Sequence, residues 1–276
     1  MGNEQPGSLL SLGVAELDMA PLMALAERAS KAILEIYADE SLWQQQAKSD
    51  DTPVTAADIK SSEILVAGLP SIVDCPVVSE EALPSYEQRK DWPLYWLIDP
   101  IDGTKEFINR TGEFVINVAL MHNHQPVFGL IYQIVNGRAW WGGPSVGAYT
   151  NEPVRALEKQ LPEAKKTLFA LGSRRSEWRG GWRDRLDSEG IEVSVKPIGS
   201  ALKFAYLADG SADFYPRLGL TSEWDTAAPQ AILAATGGAI VQWNGQPIEY
   251  GKEDTLNPYF IAVREQSLLD YFVEQS

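Results

Sequence analysis

Between Asp18 and Tyr37 the apolar positions Leu22, Leu25, Ala26, Ala29, Ile33 and Ile36 recur at three- and four-residue steps. That is the period of one helix face, and Pro21 stands in the first turn, where a missing N–H breaks no intrahelical bond. A second helix is predicted from Thr55 to about Ala67. The period then changes. Pro76 to Ser79 and Tyr95 to Asp99 read as short strands, the second stopped by the turn Pro100–Gly103. Phe114 to Leu120, Val127 to Val135 and Arg138 to Trp141 alternate or run apolar, with Asn136-Gly137 as a hairpin signal between the last two. His122 and His124 fall in a hairpin turn and are expected to be exposed.

From Glu152 to Thr167 the chain is polar and carries Pro153 and Pro162. A soft boundary there divides an N-terminal α+β half, 1–155, from a C-terminal α/β half, 156–276. The second half alternates. Strands are predicted at Thr167 to Gly172, Glu192 to Val195, Ala212 to Tyr215, Ala239 to Trp243 and Pro258 to Val263. Helices are predicted near Arg179 to Ser188, at Ala201 to Ala208, at Thr226 to Ala235 and at Gln266 to Glu274. Gly237-Gly238 closes the third of these helices. Residues 1–15 read as a loose lead-in, and no internal repeat is present. Hairpins followed by alternating strands and helices predict α+β leading into α/β layers.

Composition narrows the partners. The 276 residues carry 23 Lys and Arg against 38 Asp and Glu, a net charge of −15. Phosphate-backbone binding needs clustered cations, so a nucleic-acid coat protein is excluded, as is an anionic membrane surface as main partner. One cysteine, Cys75, forms no intramolecular disulfide and reads as a buried small residue. Two histidines and one cysteine do not make a zinc site of the usual ligand set. The N-terminus does not read as a signal peptide, and no apolar stretch is long enough to span a bilayer. A cytoplasmic location is expected, with peripheral contact to the inner face of a membrane left open.

The informative residues are carboxylates at predicted strand ends. Glu80 and Glu81 follow P-V-V-S, Asp99 and Asp102 flank the bend D-P-I-D-G-T, Asp225 lies in E-W-D-T-A-A, and Asp58 lies near the start of the second helix. Singly, each has an ordinary explanation: Asp58 as a capping box with Thr55, Asp225 as a helix-start acid, Glu80 and Glu81 as solvated charges. Together they suggest a cation. Two carboxylates facing one point repel unless a positive charge lies between them. Oxygen donors without His or Cys select a hard ion such as Mg²⁺, and the Ile101 carbonyl adds a further oxygen. Gly103 and Thr104 offer N–H groups and a hydroxyl to an oxyanion beside it.

The segments S-E-E (79–81), W-L-I-D-P-I-D-G-T (96–104) and E-W-D-T-A-A (223–228) resemble the inositol monophosphatase-like, lithium-sensitive phosphatases. T-P-V-T-A-A-D (52–58), G-S-A-L-K-F (199–204), D-F-Y-P-R (213–217) and L-N-P-Y-F (256–260) are similar to the bisphosphate-nucleotidase branch. The resemblance implies a layered αβαβα sandwich and two Mg²⁺ ions, with a third, weaker one. It assigns Glu80, Asp99 and the Ile101 carbonyl to one ion, and Asp99, Asp102 and Asp225 to the second. Glu80, Asp58 and Thr104 form the implied catalytic set, Asp58 holding Thr104 as it orients the attacking water.

The implied substrate is a small bisphosphorylated nucleotide, 3′-phosphoadenosine 5′-phosphate, cleaved to AMP and phosphate. The sulfated precursor is a further candidate. Asp102, Gly103, Thr104 and Asp225 would meet the reacting end. Ser173, Arg174, Ser200, Lys203 and Arg217 would meet the rest. Gly199-Ser200, opening a helix, is expected to present free N–H groups to the second phosphate. The segment Ser173-Arg174-Arg175-Ser176 lacks the histidine usual in that loop. Trp140, Trp141, Trp178 and Trp182 are assigned to packing. Inositol monophosphatase activity, fructose-1,6-bisphosphatase activity and a non-catalytic phosphate sensor are the alternatives.

Overall fold

A strand with apolar residues on both faces needs cover on both, and that requirement organises the chain. The computed structural model describes residues 9–43, 46–47, 53–54, 56–163, 165–172 and 182–273. The first half begins with a hairpin, β1 (Leu9–Ser11) and β2 (Glu16–Asp18), which leads into α1 (Met19–Ala38). The lead-in is therefore structured over its described part, from Leu9 onward. Leu10 and Leu17 are buried opposite each other, a pattern too short for periodicity to reveal. Asp18 caps α1 by accepting the Ala20 N–H at 2.9 Å. Next come the short pair β3 (Gln46–Ala47) and β4 (Pro53–Val54), then α2 (Ala56–Gly68), β5 (Val77–Ser79), α3 (Tyr86–Arg89), β6 (Leu94–Asp102) and α4 (Thr104–Ile108). Five strands follow: β7 (Val115–His122), β8 (Gln125–Gln133), β9 (Ala139–Gly143), β10 (Gly147–Asn151) and β11 (Val154–Leu157). The polar stretch after Asn151 thus carries one more strand than expected.

The seven strands β5 to β11 make one sheet, ordered β11-β10-β9-β8-β7-β6-β5 and antiparallel except for β5 on β6. Along β6 the side chains alternate: Trp96 and Ile98 enter a core shared with α1 and α2, whereas Tyr95 and Leu97 enter the core on the opposite face.

The second half supplies β12 (Thr167–Gly172), α5 (Trp182–Ser188), β13 (Glu192–Pro197), α6 (Leu202–Ala208), β14 (Phe214–Arg217), α7 (Glu223–Thr236), β15 (Ala239–Gln242) and β16 (Phe260–Val263). Five of these are strands of a second sheet, ordered β13-β12-β14-β16-β15. Helices α6 and α7 lie between the two sheets, and α5 with the 3₁₀ segment Gln266–Tyr271 covers the far face. The five layers read αβαβα. The terminal segment is 3₁₀, not the expected α-helix, because burying Leu268 and Phe272 needs little more than one turn.

One further expectation changes. Asn123 (φ 49°) and His124 (φ 60°) make the two-residue β7–β8 turn, both in the left-handed region that a type I′ hairpin demands. His122 and His124 are partly buried instead of exposed. His124 lies 3.3 Å from the Tyr95 hydroxyl and 3.2 Å from the Lys90 carbonyl oxygen. Gly129 on β8 is where α7 crosses the first sheet. A Cβ there would collide with the Ala228 backbone oxygen. Gly129→Ala is expected to push α7 outward and destabilise the protein by about 3 kcal/mol, the upper end for overpacked cores. Chemical denaturation checks this, and an unchanged midpoint would show that α7 can shift freely.

Candidate active site

Two sheet positions and one helix turn converge. On β6, Asp99 continues the phase of Tyr95 and Leu97 and so faces the middle helix layer. Pro100 reads as a strand end in the sequence, yet β6 runs on to Asp102. The register with β7 shifts between Asp99 and Asp102, and a proline is tolerated at such a bulge because no ladder N–H is required of it. Asp99 Oδ1 closes the bulge by accepting the Ile101 N–H at 3.0 Å, and Ser61 of α2 donates to the Pro100 carbonyl at 2.9 Å. Gly103 (φ 100°) then turns the chain into α4.

Asp225 comes from the first turn of α7. This helix starts at Glu223, three residues before the expected start, because Ser222 and Asp225 form a capping box. Asp225 Oδ2 accepts the Ser222 N–H at 2.8 Å, so capping takes one oxygen and Oδ1 has no part in it. Ligand atoms of Asp99, Asp102 and Asp225 all lie within 4.8 Å of one another.

Burial lifts all three carboxyls above the ordinary range, and for Asp99 and Asp225 the neighbouring carboxylates add to it. For Asp99, burial leads, followed by the charges of Glu80, Asp102, Asp225 and Asp58. Asp225 is pushed up to about 7 by burial, then by Asp102 and Glu80. Asp102 is raised by burial, opposed by Lys203 and by the Ala201 N–H. One buried and two partly buried carboxylates converging on one point are what a hard cation neutralises, and the donor set fits one. Glu80 sits at the end of β5, its N–H donating to the Ile98 carbonyl at 3.2 Å. It repels Asp99 and Asp225 but is outside the trio that converges most tightly. Asp58, 2% exposed, accepts the Thr104 hydroxyl at 3.0 Å, and that hydroxyl lies 3.4 Å from the Ile101 carbonyl oxygen.

The start of α6 differs from expectation. Its N–H groups are not open to an anion: Gly199 N–H donates to Glu113 Oε2 at 2.8 Å and Ala201 N–H to Asp102 Oδ2 at 2.5 Å. The protein's own carboxylates occupy that end. Ser200, at φ 48°, is held in this loop by Lys203, whose ammonium donates to the Ser200 carbonyl at 2.7 Å and the Ile198 carbonyl at 3.2 Å. Burial brings Lys203 down to about 8, with Asp102 opposing the shift. Arg217 donates to the Gly219 and Leu220 carbonyls at 3.2 and 2.8 Å and faces Asp225. Ser173 and Arg174 lie outside the described residues. Sequence reasoning missed Ser61, Asn117 and Glu113. Of these, only Asn117 carried a signal, as a polar residue in the apolar run from Val115 to Met121.

The profile of the inositol monophosphatase family matches residues 16–275. The chain belongs to the inositol monophosphatase family. It is 39% identical over 238 residues to the 3′(2′),5′-bisphosphate nucleotidase CysQ of Escherichia coli (strain K12), covering 86% of this chain and 95% of that one. The CysQ of Haemophilus influenzae is 34% identical over 252 residues, 89% and 92% of the two chains. Among solved structures, the CysQ of Bacteroides thetaiotaomicron superposes with a TM-score of 0.74 at 34% identity, over 90% of this chain and 98% of that one. Metal dependence is typical of inositol monophosphatase family members, and here the acidic trio has the donors for it. Among the described residues no helix is long and apolar enough to cross a membrane.

Proposed function

We propose that this member of the inositol monophosphatase family is a Mg²⁺-dependent phosphatase that removes the 3′-phosphate of 3′-phosphoadenosine 5′-phosphate, giving AMP and phosphate. One observation carries the reading. The trio Asp99, Asp102 and Asp225 is assembled in a chain 39% identical to a named bisphosphate nucleotidase over nearly its whole length.

Glu80, Asp99 and the Ile101 carbonyl would hold one ion, and Asp99, Asp102 and Asp225 a second, with a third near Asp58. Bound there, Mg²⁺ supplies Lewis acidity that makes water a nucleophile near neutral pH and neutralises phosphate oxygens. The chain's own residues do the rest. Thr104 donates its hydroxyl hydrogen bond to Asp58, which leaves a lone pair to orient the attacking water; as water attacks, its proton passes to Thr104 while the Thr104 proton passes to Asp58. The N–H groups of Gly103 and Thr104 hold the phosphate in line. A new P–O bond forms from water as the bond to the ribose 3′ oxygen breaks, the departing oxygen taking a proton from solvent water to become the 3′ hydroxyl, without a covalent enzyme intermediate. Arg217, partly buried and facing Asp225, is assigned with Ser173 and Arg174 to the second phosphate and the nucleoside, whereas Lys203 and Ser200 shape the loop that holds Asp102.

Phosphate release from equal concentrations of 3′-phosphoadenosine 5′-phosphate, inositol 1-phosphate and fructose 1,6-bisphosphate tests the reading. A large preference for the nucleotide is expected. A preference for either sugar phosphate would keep the metal chemistry and overturn the assignment of the second-phosphate residues. The relay has its own test. Thr104→Ala is expected to lower kcat about a hundredfold with little change in KM, whereas Thr104→Ser retains most activity. Equal losses in the two variants would contradict a hydroxyl relay.

A further inference from the structure

Asp102 Oδ2 is held from two sides: Ala201 N–H reaches it at 2.5 Å from the start of α6, and Asn117 Nδ2 at 3.4 Å from β7. Oδ1 takes part in neither bond. Asn117 pairs directly with Asp99 across the β6–β7 ladder, so the two side chains share the face that meets the middle helix layer. Its neighbours on that face of β7, Val115 and Ala119, belong to the apolar core. Asn117 itself is 0% exposed, and its Oδ1 has no hydrogen-bond partner.

A half-satisfied amide in the middle of an apolar strand is costly, and a valine would pack there without the penalty. Such a group calls for a reason, and its surroundings supply one. The amide orientation is fixed chemically, because a carboxylate only accepts and the NH₂ end must therefore face Asp102. With Oδ2 clamped between a strand amide and a helix-start N–H, the plane of the Asp102 carboxylate is set and Oδ1 is the oxygen left for a ligand.

We propose that Asn117 is a positioning residue of the metal centre: it stands beside Asp99, holds the outer oxygen of Asp102, and so orients the inner oxygen toward the cation. This rests on the metal-phosphatase reading above. Groups that hold a metal's carboxylate ligands in place change metal affinity about 10- to 100-fold when removed. A residue that served only the core would change stability and leave metal affinity alone.

The test uses the full chain and Mg²⁺ itself. Isothermal titration of metal-free protein with Mg²⁺, without substrate, gives a dissociation constant for wild type, Asn117→Val and Asn117→Ala. Phosphate release is then followed against Mg²⁺ concentration. The expected result is a dissociation constant raised about tenfold or more. The Mg²⁺ activation curve shifts by the same factor, most activity returns at high Mg²⁺, and KM for the nucleotide stays within about twofold. Valine suits the strand and alanine avoids a steric demand, so a folded variant, verified by circular dichroism, is available from one or the other. Unchanged Mg²⁺ affinity in a folded variant would overturn the proposal, as would a loss of activity that high Mg²⁺ does not restore. If wild type binds no Mg²⁺ at all, the metal reading fails instead.

Discussion

Replacing Asp102 with asparagine is expected to lower turnover by about a thousandfold or more while leaving the fold intact. Asparagine has the shape of aspartate, and its carbonyl can still accept the Ala201 N–H. Its NH₂ group then faces the cluster, where a cation would be repelled. Losing several kcal/mol of charge stabilisation at the reacting phosphate corresponds to about three powers of ten in rate. The same substitution removes one charge from a crowded acidic trio, the charge that raises both Asp99 and Asp225. The metal-free variant should therefore melt no lower than metal-free wild type. Turnover measured with Mg²⁺ and melting measured in chelator together check this. Retained activity would remove Asp102 from the metal centre, and a collapsed melting temperature would make it a structural residue.

The second large effect is a pH dependence that Mg²⁺ reverses. In the metal-free protein Asp99, Asp102 and Asp225 all titrate above the ordinary 3.8 of an aspartate, Asp225 near 7. A carboxyl whose pKa rises on folding stabilises fully below its unfolded value, and that contribution disappears as pH rises through the folded one. The trio therefore favours the folded state near pH 4 and progressively less toward pH 7 and above. Every tenfold gain in a carboxyl's proton affinity on folding is worth about 1.4 kcal/mol, and all three carboxyls contribute in the same direction. A cation restores what deprotonation removes. Saturating Mg²⁺ should raise the melting temperature strongly at pH 8 and little at pH 5, where protons still occupy the carboxyls. An equally large rise at both pH values would mean that Mg²⁺ binds elsewhere.

Much of this was legible in the chain. The helix over α1 and the strands β7 and β8 follow from apolar periodicity alone, because long amphipathic or buried segments leave an unambiguous period. The carboxylates stood out because each follows an apolar strand or precedes an apolar helix. What was not legible is local or depends on contacts distant in sequence. The hairpin at Leu10 and Leu17 is too short for a period to show. Pro100 reads as a strand end, and only the register shift against β7 reveals a bulge that tolerates it. The start of α6 reads as an open anion site until Glu113, 86 residues away, and Asp102, 99 residues away, are seen to occupy its N–H groups. Asp225 is the instructive case. The helix-capping explanation and the metal explanation are both compatible with its geometry, since Oδ2 caps α7 while Oδ1 is left out of the cap.

The most direct measurement is anomalous diffraction from crystals of the active protein grown with Mn²⁺ in place of Mg²⁺. The expected result is a strong peak among Asp99, Asp102 and Asp225, about 2.0–2.3 Å from their oxygens, and a second toward Glu80. An enzyme that is active with Mn²⁺ yet shows no peak between these carboxylates would contradict the assignment of the reaction centre.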